Sequence, residues 1–242
     1  EDMELSRKSK SKYPIGFYVC TSAYALERMA FYSAKWVIGI FIAAEVMRGG
    51  LGLTPADGAK MTANLVAFTY LTPILGGFIA DRWLSPRLCV ILGALIMAAG
   101  YVFGYQASVT SSPQFLWAMI ILVSIGTGLY KGNIAGISGR LFNDKDQLDS
   151  AFSIQYSIAN IGSFLGTLTV SFIAYKIGFG ETFLVCAGFL VVSTIWFYLG
   201  GRATFGDIGK KPFEANESKA YTKKVSKDYR TPLTVDDKKK IG

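Results

Sequence analysis

The 242-residue chain has no histidine. An imidazole base, a histidine metal ligand and a histidine pH switch are therefore excluded within it. Cysteine is scarce: Cys20, Cys89 and Cys186 fall in or beside apolar runs, at spacings that match no metal motif. They read as small buried hydrophobes. No nucleophile–base set appears either, so the sequence points away from an enzyme and calls for no cofactor. Charge is also thin, at 17% of residues, where soluble domains carry about a quarter. The net charge of +8 could invite nucleic acid, but its placement argues otherwise. Lys and Arg gather in the opening segment (Arg7, Lys8, Lys10, Lys12) and after Arg202. Such basic ends are cytoplasmic flanks of a membrane protein, and nucleic acid is set aside as a partner.

What is plentiful is hydrophobic sequence, 51% of the chain. A spanning helix needs about 20 mostly apolar residues, and six segments qualify: 14–47, 55–84, 86–106, 113–142, 149–177 and 180–202. The first is too long for a signal peptide and is followed by five more, so it is a retained anchor. Gly49-Gly50 ends it, and Thr54-Pro55-Ala56-Asp57 opens the second with Thr54 as N-cap. Ser85-Pro86 and Ser112-Pro113 open the third and fourth in the same way, and Gly178 and Gly180 break before the sixth. Arg82, Arg87, Arg140 and Lys145 fall in inner loops, against Arg48, Lys60 and Lys176 outside, which places both termini in the cytoplasm of a multi-pass protein of the cell (inner) membrane. The expected division is a basic N-terminus over 1–13, a six-helix bundle over 14–202 and a linker over 203–242. The Lys-rich linker, with Pro212 and Pro232, lies on the inner face against anionic lipid. Its Pro232-Leu233-Thr234-Val235-Asp236-Asp237 run starts a further helix, which would continue beyond Gly242 or be supplied by another chain.

Several charges stand where a membrane protein tolerates few. Tyr24, Glu27, Arg28, Phe31 and Lys35 recur at helical spacing along one face of the first segment. A charge at mid-bilayer costs at least ~2.5–3.5 kcal/mol, so these need partners or water. Glu27 lies ~20 Å from the inner end at 1.5 Å per residue, too deep to snorkel. Lys131 lies ~27 Å along the fourth helix, at a similar depth. A Glu27–Lys131 pair across a polar cavity is the favoured reading, with a self-contained Glu27/Arg28 pair the plainer alternative. Gly128, Gly132 and Gly136 form a small-residue ridge for close helix contact. The fifth helix carries Ser153, Tyr156, Asn160, Ser163 and Thr167 as a polar stripe. Ser163 and Thr167 are expected to bond their own backbone, whereas Asn160, as an amide, wants several partners. Tyr70 precedes Leu71-Thr72-Pro73, where the proline frees a carbonyl and permits a kink.

Gly76-Gly77-Phe78-Ile79-Ala80-Asp81-Arg82 resembles the inner-loop signature of the major facilitator superfamily. Glu27-Arg28 with its aromatics, Tyr70-Leu71-Thr72-Pro73, Gly126-Thr127-Gly128-x-x-Lys131-x-Asn133 and Phe152-Ser153-Ile154-x-Tyr156-x-x-x-Asn160-x-Gly162 follow in order. As a set they resemble the proton-dependent oligopeptide transporter family, and Pro232-Leu233-Thr234 is similar to its linker before the seventh helix. The resemblance implies an all-α membrane fold, the six-helix N-terminal bundle of a major-facilitator-type transporter. It implies proton-coupled symport of di- and tripeptides by alternating access. Glu27, Arg28 and Lys131 then serve proton coupling, and Tyr32, Lys35, Tyr70, Lys131 and Asn160 bind substrate. Gly76, Gly77, Asp81 and Arg82 serve conformational gating. The implied partners are a small peptide, protons, membrane lipid and a C-terminal six-helix half, in the same or another chain. The chain departs from the family at three places: Tyr24 replaces a first glutamate, Lys35 an arginine, and Gly132 a proline. A same-fold carrier of another solute, or a non-transporting six-helix subunit of a larger complex, stands as the alternative.

Overall fold

In the computed structural model, residues 13–142 and 147–212 are described. The opening basic segment, Lys145, and the linker helix start at Pro232–Asp237 lie outside those residues. The described chain folds into six helices: α1 (Ile15–Ala43), α2 (Pro55–Arg82), α3 (Pro86–Thr110), α4 (Pro113–Arg140), α5 (Leu148–Lys176) and α6 (Phe179–Thr204), with a 3-10 turn at Val46–Arg48. Five of the helices are long and apolar enough to cross a membrane by length and composition. The other, α1, has the length but carries Glu27, Arg28 and Lys35. The fold is an all-α, six-helix membrane-spanning bundle of multi-pass type.

Capping residues set the helix ends. Thr54 accepts from the Asp57 N–H while the Asp57 carboxylate accepts from the Thr54 N–H, a complete capping box before Pro55. Ser85 caps α3 by accepting from the Leu88 N–H at 3.3 Å. Ser112 breaks the expected pattern, since its hydroxyl is hydrogen-bonded to the Gln114 side chain and leaves the N-terminus of α4 uncapped by a side chain. Pro73 sits inside a continuous α2, close to where the Thr72 hydroxyl donates across to the Ser124 carbonyl of α4 at 2.7 Å.

Successive helices run antiparallel. At one end of the bundle, Tyr13 at the start of α1 meets Phe142 and Ser150. There too Arg87, at the start of α3, holds the segment that follows α6. At the opposite end the Ser108 hydroxyl donates to the Gly49 carbonyl at 2.8 Å. The first and last helices therefore begin and end on the same side.

Helix α4 is approached closely on two flanks, because glycines let neighbouring backbones touch it. A Cβ on Gly76 of α2 would collide with the Gly128 carbonyl, and a Cβ on Gly93 of α3 would lie 2.6 Å from the Gly126 oxygen. The expected Gly128/Gly132 ridge is corrected here: Gly132 faces open space, and the close approaches use Gly126 and Gly128. Burial is uneven. Helices α2 and α5 leave long apolar strips exposed, including Leu71, Ile74 and Leu75 on α2 and Ile161, Phe164 and Leu168 on α5. All three cysteines are free and buried, as their apolar settings imply.

Candidate functional site

The charges of α1 meet residues of α2 and α4 at the level of Lys131. Arg28, Tyr32 and Lys35 from α1, Thr69 and Tyr70 from α2, and Lys131 from α4 line one polar cavity of about 40 Å³. Helical spacing on α1 brings its three residues to one side. The close Gly76–Gly128 approach draws α2 onto α4 and sets Tyr70 beside Lys131, whose Nζ lies 5.6 Å from the ring centre.

Glu27 and Arg28 are locked to each other. Arg28 Nε and Nη2 each donate to a different Glu27 oxygen at 2.5 Å, a bidentate fork. Glu27 is 0% exposed and Arg28 5%. The guanidinium is further seated among rings, 4.9 Å from the centre of Phe31, 5.3 Å from Tyr24 and 5.8 Å from Tyr32. Among the described residues no ion pair joins Glu27 to Lys131, so the favoured cross-helix pairing gives way to the plainer one. The physical reason is reach: the long arginine stem curls back over its own turn and engages both carboxylate oxygens from the adjacent position.

The remaining cations are less enclosed. Lys131 and Lys35 are half-buried, each within cation–π range of a tyrosine, Tyr70 and Tyr32 respectively. Among the described residues Glu27 is the only acid away from a helix end. Three cations against one carboxylate leave two positive charges unbalanced in an apolar surround. That surplus attracts negative charge, and the nearby tyrosine hydroxyls are further hydrogen-bond donors.

Other expected site residues lie elsewhere. Asn160 is exposed on α5 and does not line the cavity. In the same stripe Ser163 and Thr167 donate to the carbonyl four residues back, at 2.8 and 2.9 Å, as expected, and Ser153 does the same at 2.8 Å. Gly76 packs α2 on α4, whereas Gly77 meets nothing. Asp81 is half-buried, and exposed Arg82 stacks over Phe78 at 4.4 Å. Two residues escaped sequence reasoning. Thr69 lines the cavity directly beside Tyr70. Gln155, buried on α5, faces a second chamber that also reaches Lys131. A glutamine inside an apolar span was the available signal for it.

The major facilitator superfamily model matches residues 25–233, nearly the whole chain. The chain belongs to the major facilitator superfamily. Among curated relatives it is 29% identical over 207 residues to the dipeptide and tripeptide permease A of Citrobacter koseri, covering 84% of this chain and 40% of that protein. It is 26% identical over 200 residues to the dipeptide and tripeptide permease B of Salmonella typhimurium, covering 82% and 39%. Its fold matches the crystal structure of a mutant of the peptide transporter POT in complex with alafosfalin, with TM-score 0.78 and 25% identity over 96% of this chain and 49% of that one. The resemblance to the oligopeptide transporter branch is thereby borne out. This chain spans about two fifths of the length of these permeases.

Proposed function

We propose that this chain forms the N-terminal half of a proton-coupled carrier of di- and tripeptides working by alternating access. The observation that carries the proposal is the cavity uniting Arg28, Tyr32, Lys35, Tyr70 and Lys131. Its excess positive charge suits the peptide carboxylate, held by Lys131 and Lys35, with Tyr32 and Tyr70 orienting the ligand. Asn160 would contact substrate from α5 once the second half closes the cavity. Glu27 is the proton-linked acid, and Arg28 is the partner that must yield when it is protonated. Gly76 and Gly77, with Asp81 and Arg82 at the end of α2, serve the gate on the inner side. The relatives named for dipeptide and tripeptide transport support this reading.

A C-terminal six-helix half, in the same or another chain, is the partner that fits the exposed strips of α2 and α5. The linker over 203–242 would join the two halves. Both termini would then be cytoplasmic in an inner membrane, because Arg82, Arg87, Arg140 and Arg202 share the side on which the bundle begins and ends.

The test is uptake of labelled dialanine into proteoliposomes with and without an inward pH gradient, using the protein together with its second half. Gradient-driven accumulation that is lost in Lys131→Ala is the expected result. No accumulation, with indifference to Lys131→Ala, refutes the proposal. One observation favours a second reading, a carrier of a different anionic solute: among the described residues no acid lines the cavity to receive a peptide amine. Competition of dialanine uptake by simple carboxylates separates the two.

A further inference from the structure

Helices α3 and α6 pack side by side, and α3 begins at the end of the bundle where α6 stops. Between those two ends lies a groove of about 200 Å³. Its wall is graded along the helix axes. Arg87 at the start of α3, with Tyr198 and Arg202 in the last turns of α6, supplies the polar rim. Ile91 and Phe197 line the groove about 6–8 Å deeper, at 1.5 Å per residue. The rim therefore sits where the helices leave the hydrocarbon, and the deeper wall lies within it. Both helices also leave large apolar side chains exposed, among them Leu88 and Leu95 on α3 and Ile195 and Leu199 on α6. In a membrane-spanning bundle such outer faces meet lipid.

Charge narrows the occupant. Among the described residues no acid lines the groove. Arg202 is exposed, and among the described residues it bonds to the Tyr198 hydroxyl at 3.4 Å and pairs with no carboxylate. Arg87 is held by neutral partners: it donates to the Gly206 and Ile208 carbonyls and stands 5.3 Å from the centre of the Phe205 ring. Asp207 lies near enough to act on Arg87, but its carboxylate is bonded to Lys210 at 2.8 Å and is not part of the groove wall. Guanidinium donors over an apolar trough suit a ligand that is anionic at one end and hydrocarbon at the other. A soluble anion would satisfy the rim and leave the trough empty. A basic linker drawn diffusely to the inner leaflet needs no groove at all.

We propose that the groove between α3 and α6 binds one anionic phospholipid of the inner leaflet. Its phosphate meets Arg202 and Tyr198, with Arg87 adding positive charge behind them, and its acyl chain follows Ile91 and Phe197. Basic pockets between helices on the cytoplasmic side hold head groups of this kind. The groove is separate from the cationic cavity of α1, α2 and α4, so the assignment does not depend on which solute is carried.

The experiment is native mass spectrometry of the purified full chain in a neutral detergent. It is titrated with phosphatidylglycerol, with phosphatidylcholine of the same acyl chains, or with phosphatidylglycerol plus equimolar inorganic phosphate. The expected result is one tightly retained phosphatidylglycerol per chain, held about tenfold more strongly than phosphatidylcholine and not displaced by phosphate. Arg202→Gln should weaken phosphatidylglycerol about tenfold, the worth of one hydrogen bond to a charged group, and leave phosphatidylcholine unchanged. Leu88→Glu sets a carboxylate at the exposed edge of the groove, three residues after the N-cap Ser85, where it completes a capping box and spares the fold. It should abolish the preference for phosphatidylglycerol. Arg140→Gln, at the same end of the bundle but outside the groove, should change neither lipid. Equal retention of the two lipids by the parent overturns the inference, as does full competition by inorganic phosphate. So does undiminished phosphatidylglycerol binding in Arg202→Gln or folded Leu88→Glu, or an equal loss in Arg140→Gln.

Discussion

Breaking the Glu27–Arg28 fork should destabilise the bundle, and by unequal amounts depending on which partner is removed. Removing one member of a buried ion pair costs about 3–5 kcal/mol, because the other is left charged and unpaired, whereas exchanging both for apolar residues is near neutral or favourable. The surroundings of this pair bias the two single changes. In Arg28→Met the fully buried Glu27 carboxylate still has Lys131 and Lys35 at hand in the adjoining cavity. That relief puts the loss near the low end, about 3 kcal/mol. In Glu27→Leu three cations remain together with no acid among them, and the loss moves toward about 5 kcal/mol. For a bundle of about 200 ordered residues, 1 kcal/mol corresponds to roughly 2–4 °C in Tm. Thermal unfolding in detergent should therefore show Glu27→Leu melting lower than Arg28→Met by several degrees, with the double variant above both. If the two single losses simply add in the double variant, the residues are not coupled and the fork contributes nothing as a pair. If Arg28→Met is the costlier change, the charge-imbalance argument is wrong.

Three further outcomes follow from the packing and the inner surface. Gly76→Val should lower stability by about 1–3 kcal/mol, because its side chain has only the Gly128 backbone to displace, while Gly77→Ala should stay within about 0.5 kcal/mol in the same unfolding assay. Arg87 donates to the Ile208 carbonyl at 2.7 Å and the Gly206 carbonyl at 2.8 Å, so Arg87→Ala should release the segment after α6. Faster hydrogen exchange at residues 205–210, with α3 itself unchanged, is the readout, and unaltered exchange would deny the clasp. Hydrogen bonding from Lys210, together with its charge, lowers the pKa of the Asp207 carboxyl. A lowered folded-state pKa means that this contact helps at and above the unfolded value near ~3.9 and fades as pH falls through the folded one. Lys210→Ala should bring the Asp207 titration, followed by NMR, back up, and no movement would show that the pair is not formed in solution.

Much of the architecture was legible because bilayer-length apolar runs and capping chemistry act locally. Thr54 with Asp57, Ser85 and Gly178 fall where helices begin, whereas the expected end of the first helix at Gly49-Gly50 is corrected: α1 stops at Ala43, and Gly49 closes the short 3-10 turn beyond it. Ser112 escaped because Gln114, two residues on, competes for its hydroxyl, and cap preference alone is blind to that. The nearness of Lys131 to the Glu27–Arg28 turn was legible from depth, since rise per residue places them at a similar level, while Lys35, about 10 Å further along α1, was legible only as sharing their face. Their pairing was not. Similar depth favoured Lys131 as the partner of Glu27. The arginine stem is long enough to reach its neighbour's carboxylate instead, and only side-chain conformation decides it. Gln155 was hidden for a related reason: it sits between two residues of a recognisable pattern, and its burial depends on how α5 is rotated against α1 and α4.

On the proposed carrier reading, the pairing found here would tie proton binding to anion binding more tightly than a Glu27–Lys131 pair. A proton reaching Glu27 would remove the charge that holds the Arg28 fork, which engages both carboxylate oxygens. Protonation would then favour opening of the fork. That event would raise the local surplus from two positive charges to three and free a guanidinium with two donors in fixed geometry. A carboxylate ligand entering beside Lys131 would be bound more strongly in that state, and by reciprocity its presence would favour the proton. Tyr24 contributes no charge to this balance at neutral pH, so Glu27 is the one acid of the cluster through which a pH gradient could act. Coupling of this kind needs no second acid on α1. It needs a fork that opens, and a cationic cavity in which an arriving anion is worth more once it has.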